Sequence, residues 1–148
     1  MNVEGIIKTD KELGLKSKSI IHFLLVQNKI NEAMHLALKP LDVSLQQFNV
    51  LRILRGQKGQ PANLSTINER MVTKMSNTSR LVDKLIAKDY VIRIICENNR
   101  RKVEISITKN GLKALENMDL AMQKTEDELL SNFSTADLEQ LNLLLNQF

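Results

Sequence analysis

Between Ser65 and Thr108 the spacing of apolar residues switches from a helical period to strict alternation, and this switch constrains the fold more than any other feature. Asn63 or Ser65 is placed to cap a short helix reaching about Met71, with Leu64, Ile67 and Met71 on its buried side. Thr73 to Met75 makes a turn. A longer helix is then expected from about Ser76 to Lys88, buried along Thr78, Leu81, Val82, Leu85 and Ile86. At 100° per residue, Ser76, Asn77, Arg80, Asp83 and Lys84 fall on its opposite side, with Ser79 flanking. Tyr90 to Cys96 and Lys102 to Thr108 are rich in β-formers, and Val103, Ile105 and Ile107 alternate with Glu104, Ser106 and Thr108. Asn98-Asn99 between them supplies the left-handed conformations that a tight hairpin requires.

Helix, turn, helix and hairpin in that order predict a winged helix-turn-helix. Such a unit sets the first residues of its second helix against base edges. Ser76, Asn77, Ser79 and Arg80 suit that task, since Arg can take guanine bidentately and Asn can take adenine, and Lys84 extends the same face. Arg100, Arg101 and Lys102 concentrate three cations beside the hairpin turn, where mutual repulsion gives stability no help and a minor-groove or phosphate contact would explain them. One of the two arginines can instead pair with Glu97 or Glu104. Asn63 and Ser65, at the start of the preceding helix, are placed to offer hydroxyl or backbone N–H contacts to phosphate.

The flanks are helical. Residues 1 to about 16 lack steady periodicity and are expected to form a partly ordered arm. Ser19 to Leu38 has helical apolar spacing and should end at Lys39-Pro40, because the residue before proline is pushed out of the α region. Ser44 with Gln47 is a capping-box pair opening a helix that uses Phe48, Val50, Leu51, Ile53 and Leu54 and stops at Gly56. Gly59 to Ala62 is a connector able to lie extended beside the hairpin. Thr108-Lys109-Asn110-Gly111 starts a long helix through Leu115, Met118 and Met122, and Ser134 caps a last one with Leu138, Leu141, Leu144, Leu145 and Phe148 as its stripe. Aromatics make up 3% of the chain and Trp is absent, so the core rests on Leu, Ile, Val and Met. The fold class is therefore mainly α with a small β-hairpin.

Charge is unevenly placed along the 148 residues. Residues 63–113 hold eleven Lys/Arg against five Asp/Glu, whereas 114–148 hold one Lys against seven acids. A basic middle beside an acidic tail points to one polyanion-facing surface, double-stranded DNA being the expected partner. Two histidines, His22 and His35, and one cysteine give no zinc ligand set, and no Gly-rich phosphate loop or nucleophile constellation is present. No enzyme activity, metal or cofactor is expected. Lys8, Asp10, Lys11 and Glu12 precede any apolar run, which argues against a signal peptide, and Ile20 to Val26 is too short to span a bilayer. A cytoplasmic protein without membrane contact is the expectation.

With these residues in place, the chain from Leu45 to Gly111 resembles the MarR family of bacterial winged-helix transcription regulators. The resemblance lies in Leu45-Gln46-Gln47-Phe48-Asn49-Val50-Leu51, then Thr78-Ser79-Arg80-Leu81-Val82-Asp83-Lys84-Leu85, then Arg100-Arg101 and Ile107-Thr108-Lys109-Asn110-Gly111. It implies a homodimer with interleaved terminal helices, a pseudo-palindromic operator read in successive major grooves, and a small-molecule effector cleft between the dimer helices and the reader. Repression is the family tendency. On this reading residues 1–148 form a single domain, 44–113 the winged-helix region, and 18–40 and 114–148 the dimerisation helices. The apolar stripes of Ile20 to Leu38 and Leu138 to Phe148 agree with that division.

Two positions depart from the family pattern. Asn99 stands where Asp usually precedes the arginine pair, removing a charge partner of the wing. Asp89 stands where Gly usually follows the recognition helix, in a left-handed turn position that Asp tolerates better than most residues. Some relatives sense oxidants through an N-terminal cysteine, but Cys96 falls in phase with Ile92 and Ile94, which predicts a buried and inert strand thiol. The alternative to a DNA reader is a winged-helix protein–protein module whose basic face meets an acidic partner.

Overall fold

The computed structural model describes residues 1–74, 77–95 and 103–148. Helices α1 (Val3–Ile7), α2 (Leu15–Leu38), α3 (Leu45–Gly56), α4 (Leu64–Arg70) and α5 (Thr78–Ile86) precede strands β1 (Val91–Ile95) and β2 (Val103–Ile107). Helices α6 (Lys109–Leu129) and α7 (Thr135–Leu145) follow. The fold is mainly helical, with one antiparallel hairpin in which Val91 faces Ile107 and Arg93 faces Ile105. Ala62 extends the hairpin by a bridge to Ile105, exchanging backbone hydrogen bonds of 2.9 and 2.8 Å, so the connector does lie beside β2.

Local signals account for most boundaries. Ser44 and Gln47 form both halves of the capping box on α3, at 3.2 and 2.9 Å. Asn63, rather than Ser65, caps α4, its side-chain oxygen accepting from Thr66 N–H at 2.8 Å. Ser134 and Asp137 close a second box on α7. Phe48, Leu51 and Leu54 of α3 join Ile67, Val82, Leu85, Ile105, Leu115 and Met118 in one buried cluster. Helix α3 thus lies at the centre, packed on α4, α5, β2 and α6, while α2 runs along α6.

Three expectations need correction. Residues 3–7 are a helix with Val3 fully buried, capped by Asn2 and tied to α2 by a 2.9 Å ion pair between Glu4 and Lys18. Five residues are too few to show a period, so packing decides what periodicity could not. Helix α2 begins at Leu15, a turn before Ser19, with Gly14 as its N-cap. It ends at Leu38 as expected, but Lys39 keeps an α conformation (φ −55°, ψ −45°). Pro40 occupies the first turn of a 3₁₀ segment, Lys39–Leu41, and the chain turns away at Asp42, whose φ is 53°.

The alternation in β2 holds, with Ile105 buried and Glu104 and Ser106 on the other face. In β1 the phase is opposite to that expected. Val91 is buried, whereas Ile92 and Ile94 are 44% and 54% exposed. The two isoleucines in phase with Cys96 therefore face outward, and Cys96 itself lies outside the described residues. Both terminal regions keep apolar surface uncovered: Ile20, Leu24 and Leu36 on α2, and Leu143, Leu144 and Leu145 on α7, which buries no residue at all. Among the described residues no helix is long and apolar enough to cross a membrane.

Candidate nucleic-acid interface

Helices α4 and α5 are joined through the hydroxyl of Thr78, which donates to the side-chain oxygen of Asn68 at 3.1 Å. Thr78 is buried by this contact, and Val82 and Leu85 continue the inner face of α5 into the core. Helical phase then forces Ser79, Arg80, Asp83 and Lys84 outward, and all four are exposed. The described helix is shorter at both ends than its apolar pattern predicts, running only from Thr78 to Ile86.

Asn77 is the N-cap of α5, yet its side chain makes no capping bond. Asparagine at an N-cap ordinarily spends its side-chain oxygen on the first-turn N–H groups. Here the carboxamide is exposed and left out of the cap, where it can meet a ligand. Arg80 and Lys84 make no ion pair with a described carboxylate, whereas Asp83 sits 2.7 Å from Nη2 of Arg93 on β1. The one acid on the outer face is thus drawn toward the hairpin and away from the two cations. The angle of that contact falls short of a hydrogen bond, so Nε and Nη2 of Arg93 are buried with no hydrogen-bond acceptor among the described residues. Sequence reasoning missed this pair. Arg93 is separated from Asp83 by ten positions and a turn, and only the strand phase reveals that it points inward.

At the preceding helix both predicted residues have partners within α4 or its cap. The side-chain oxygen of Asn63 is committed to its cap, and the hydroxyl of Ser65 donates to Glu69 at 2.9 Å. Ser76, Arg100, Arg101 and Lys102 lie outside the described residues.

The root of the hairpin is tightly cross-braced. Asp89 takes the left-handed conformation (φ 58°) that links α5 to β1. Its backbone carbonyl accepts from the Thr108 hydroxyl at 2.7 Å, and its carboxylate accepts from Asn110 Nδ2 at 2.6 Å. Thr108 Oγ1 also accepts from Gly111 N–H at 2.9 Å, capping α6. Asp at this position thus adds a bond that glycine would lack.

A cavity of about 470 Å³ opens where the last turn of α2 meets the start of α3, lined by Glu32, His35, Lys39, Asp42, Ser44 and Gln47 among others. Asp42 on its rim is paired with Lys88, just beyond α5, and the ammonium holds the carboxyl below its usual range. His22 is half-buried on α2, away from this lining. Among the described residues no group of three or more His, Cys, Asp or Glu is arranged to hold a metal ion.

A model of the MarR family matches residues 43–103, from the approach to α3 through the first residue of β2. YwoH of Bacillus subtilis (strain 168), an uncharacterised HTH-type transcriptional regulator, is 30% identical over 126 residues, spanning 84% of this chain and 85% of YwoH. The chain belongs to the MarR family. The multiple antibiotic resistance protein MarR of Escherichia coli (strain K12) is 27% identical over 130 residues, 86% of this chain and 87% of its own. A cysteine-to-serine mutant of E. coli MarR, solved in complex with operator DNA, superposes with a TM-score of 0.75 at 22% identity over 99% of this chain and 98% of that one. At that identity the superposition establishes a shared MarR fold. Within it, α4 and α5 are the helix-turn-helix and β1–β2 the wing.

Proposed function

We propose that this MarR-family member is a sequence-specific DNA-binding transcriptional repressor of the cytoplasm, acting as a homodimer on a pseudo-palindromic operator and released by a small molecule. The observation that carries the reading is the outer face of α5, where Asn77, left out of the cap, and Arg80 and Lys84, without an ion pair to any described residue, are presented together. Asn and Arg can each make a bidentate contact to a base, and Lys can reach phosphate. Ser79 is exposed on the same helix. Ser76, just before the Asn77 cap in the chain, and Arg100, Arg101 and Lys102, between the two strands in sequence, are proposed as further contacts. Residues 44–113 are the DNA-binding region on this reading.

The homodimer is supported by apolar surface that one protomer leaves open. Leu36 on α2 and Leu143 on α7 are about three-fifths exposed, at 61% and 62%. Exposed apolar surface at both chain ends is what a mutual interface would cover, with 18–40 and 114–148 as the dimerising segments. The α2–α3 cavity falls within the size range of ligand sites and adjoins the Asp42–Lys88 link to the reader, which supports a proposed effector site there.

The test is selection of bound sequences from random duplex, followed by affinity measurements on the recovered site. A two-fold-symmetric consensus is expected, with binding that weakens steeply with salt. Arg80→Ala should cost about 1–3 kcal/mol and relax preference at one position of each half-site. Sedimentation of wild type and Leu144→Glu gives the oligomeric state, with the variant shifted to monomer. Recovery of no consensus, together with unchanged duplex affinity in Arg80→Ala, would sink the reading in favour of a protein-binding module.

A further inference from the structure

Ion pairing sorts the described arginines into two groups. Arg55 is held by Asp119 and Arg93 by Asp83, whereas Arg52, Arg70 and Arg80 have no carboxylate partner among the described residues. Arg80 belongs to the reader. Arg52 and Arg70 line one cleft of about 290 Å³, completed by Asn49, Ile53 and Val72.

The cleft is assembled from three elements. Asn49, Arg52 and Ile53 stand at i, i+3 and i+4, so α3 presents them as one stripe. Arg70 is the last residue of α4. Val72 lies in the turn that leads into α5 and is 92% exposed, with exposed Lys74 close behind it. The guanidinium of Arg52 lies 5.5 Å over the ring centroid of Phe48, which is itself buried. Its platform is therefore fixed to the core, and no acid among the described residues neutralises the cation.

We propose that this cleft is a phosphate site, in which Arg52 and Arg70 take a backbone phosphate of duplex DNA beside the base-reading helix. Two guanidinium groups on one cleft repel each other unless an anion lies between them. Paired N–H donors match phosphate oxygens, Asn49 adds an amide donor, and Ile53 and Val72 supply apolar walls suited to deoxyribose. A free small anion would be weakly held, because both arginines are exposed and screened by solvent. A duplex already engaged by α5 instead delivers its phosphates at high effective concentration. The contact fixes register and carries no sequence information.

This inference rests on the DNA-binding reading above, and the experiment separates the two. Wild type, Arg52→Gln/Arg70→Gln and Arg52→Lys/Arg70→Lys are titrated on the selected operator and on a scrambled duplex across a salt series. The glutamine pair should weaken both duplexes alike, and its plot of log K against log salt should be shallower by about 0.9 per lost phosphate contact, hence about 1.8 per dimer. The lysine pair should keep the wild-type slope. Ethylating the flanking phosphates should weaken wild type and leave the glutamine pair unaffected, a comparison that holds even if the variant is less stable. A wild-type slope in the glutamine pair, or lost operator preference at unchanged slope, overturns the proposal. A wild type that shows neither salt dependence nor preference overturns the parent reading instead.

Discussion

Gly111→Ala is the substitution that most directly tests how the wing is rooted. A Cβ built on Gly111 would lie 2.1 Å from the carbonyl oxygen of Tyr90, 2.9 Å from its carbonyl carbon and 2.9 Å from Cγ1 of Ile107. An ordinary carbon–oxygen contact is about 3.3 Å or more, so the first turn of α6 and the Tyr90 peptide must part by over ~1 Å. That opening falls on a linked set of bonds. Tyr90 O accepts from Thr108 N–H at 3.0 Å, Thr108 Oγ1 caps Gly111 N–H at 2.9 Å, and Asn110 braces Asp89. Overpacking of this kind costs about 1–3 kcal/mol, and the weakened cap adds about 1. The better helix propensity of Ala returns at most about 1 kcal/mol.

The expected net loss is roughly 1–3 kcal/mol, or a melting temperature lowered by about 2–12 °C for a chain of this size. Calorimetry or circular dichroism at matched protomer concentration measures it, since the proposed dimer would melt at a concentration-dependent temperature. Gly56→Ala is the internal control. It ends α3, its φ is not positive, and an added Cβ there meets nothing within 4 Å. The same chemical change at Gly56 should be neutral or stabilise by up to about 1 kcal/mol. If Gly111→Ala melted within a degree of wild type, the claim that close approach dictates glycine here would be wrong.

Two further outcomes follow from the charge pairs. Asp83→Ala should destabilise by about 1–2 kcal/mol, because Arg93, with a side chain 27% exposed, is left half-buried without its counter-ion. Arg93→Met should cost less than about 1 kcal/mol, since the Asp83 side chain is 56% exposed and re-solvates. Equal losses in a denaturant titration would refute that asymmetry. The Lys88 ammonium keeps the Asp42 carboxyl titrating below its usual range. Its contribution to stability is therefore complete above the unfolded value of about 3.9 and fades as pH falls through the lower folded one. Asp42→Asn should accordingly be less stable than wild type near neutrality, the gap closing below about pH 4. A gap that persisted or widened in acid would show that the pair does not act as drawn.

What was legible in the sequence follows from the range of the forces involved. Caps and turns are set within four residues, so Ser44, Asn63, Thr108 and Ser134 mark helix starts that the structure keeps. The outward face of α5 was legible too, because burial of Thr78, Val82 and Leu85 leaves the remaining positions no other direction. Long-range pairing left no such trace. Nothing local to Arg93 says that it reaches Asp83, and nothing in α3 says that Arg52 shares a cleft with Arg70 on another helix. Helix α1 was missed for a related reason, as its order comes from packing on α2 rather than from its own pattern.

The reversed phase of β1 carries the sharpest lesson. Two apolar residues in alternation, Ile92 and Ile94, look like an inward face, yet the inward positions are Val91 and Arg93. Alternation fixes that a strand has two faces; it does not say which face is buried when both contain apolar residues. In β2 the opposite face holds Glu104 and Ser106, and the ambiguity vanishes. Register with β2 then decides β1, because Arg93 must lie opposite buried Ile105, and the price is a half-buried guanidinium that Asp83 neutralises. A cation placed there couples the wing strand to the outer face of α5. The feature that defeated the reading of the strand is thus the one that ties the hairpin to the helix expected to read DNA.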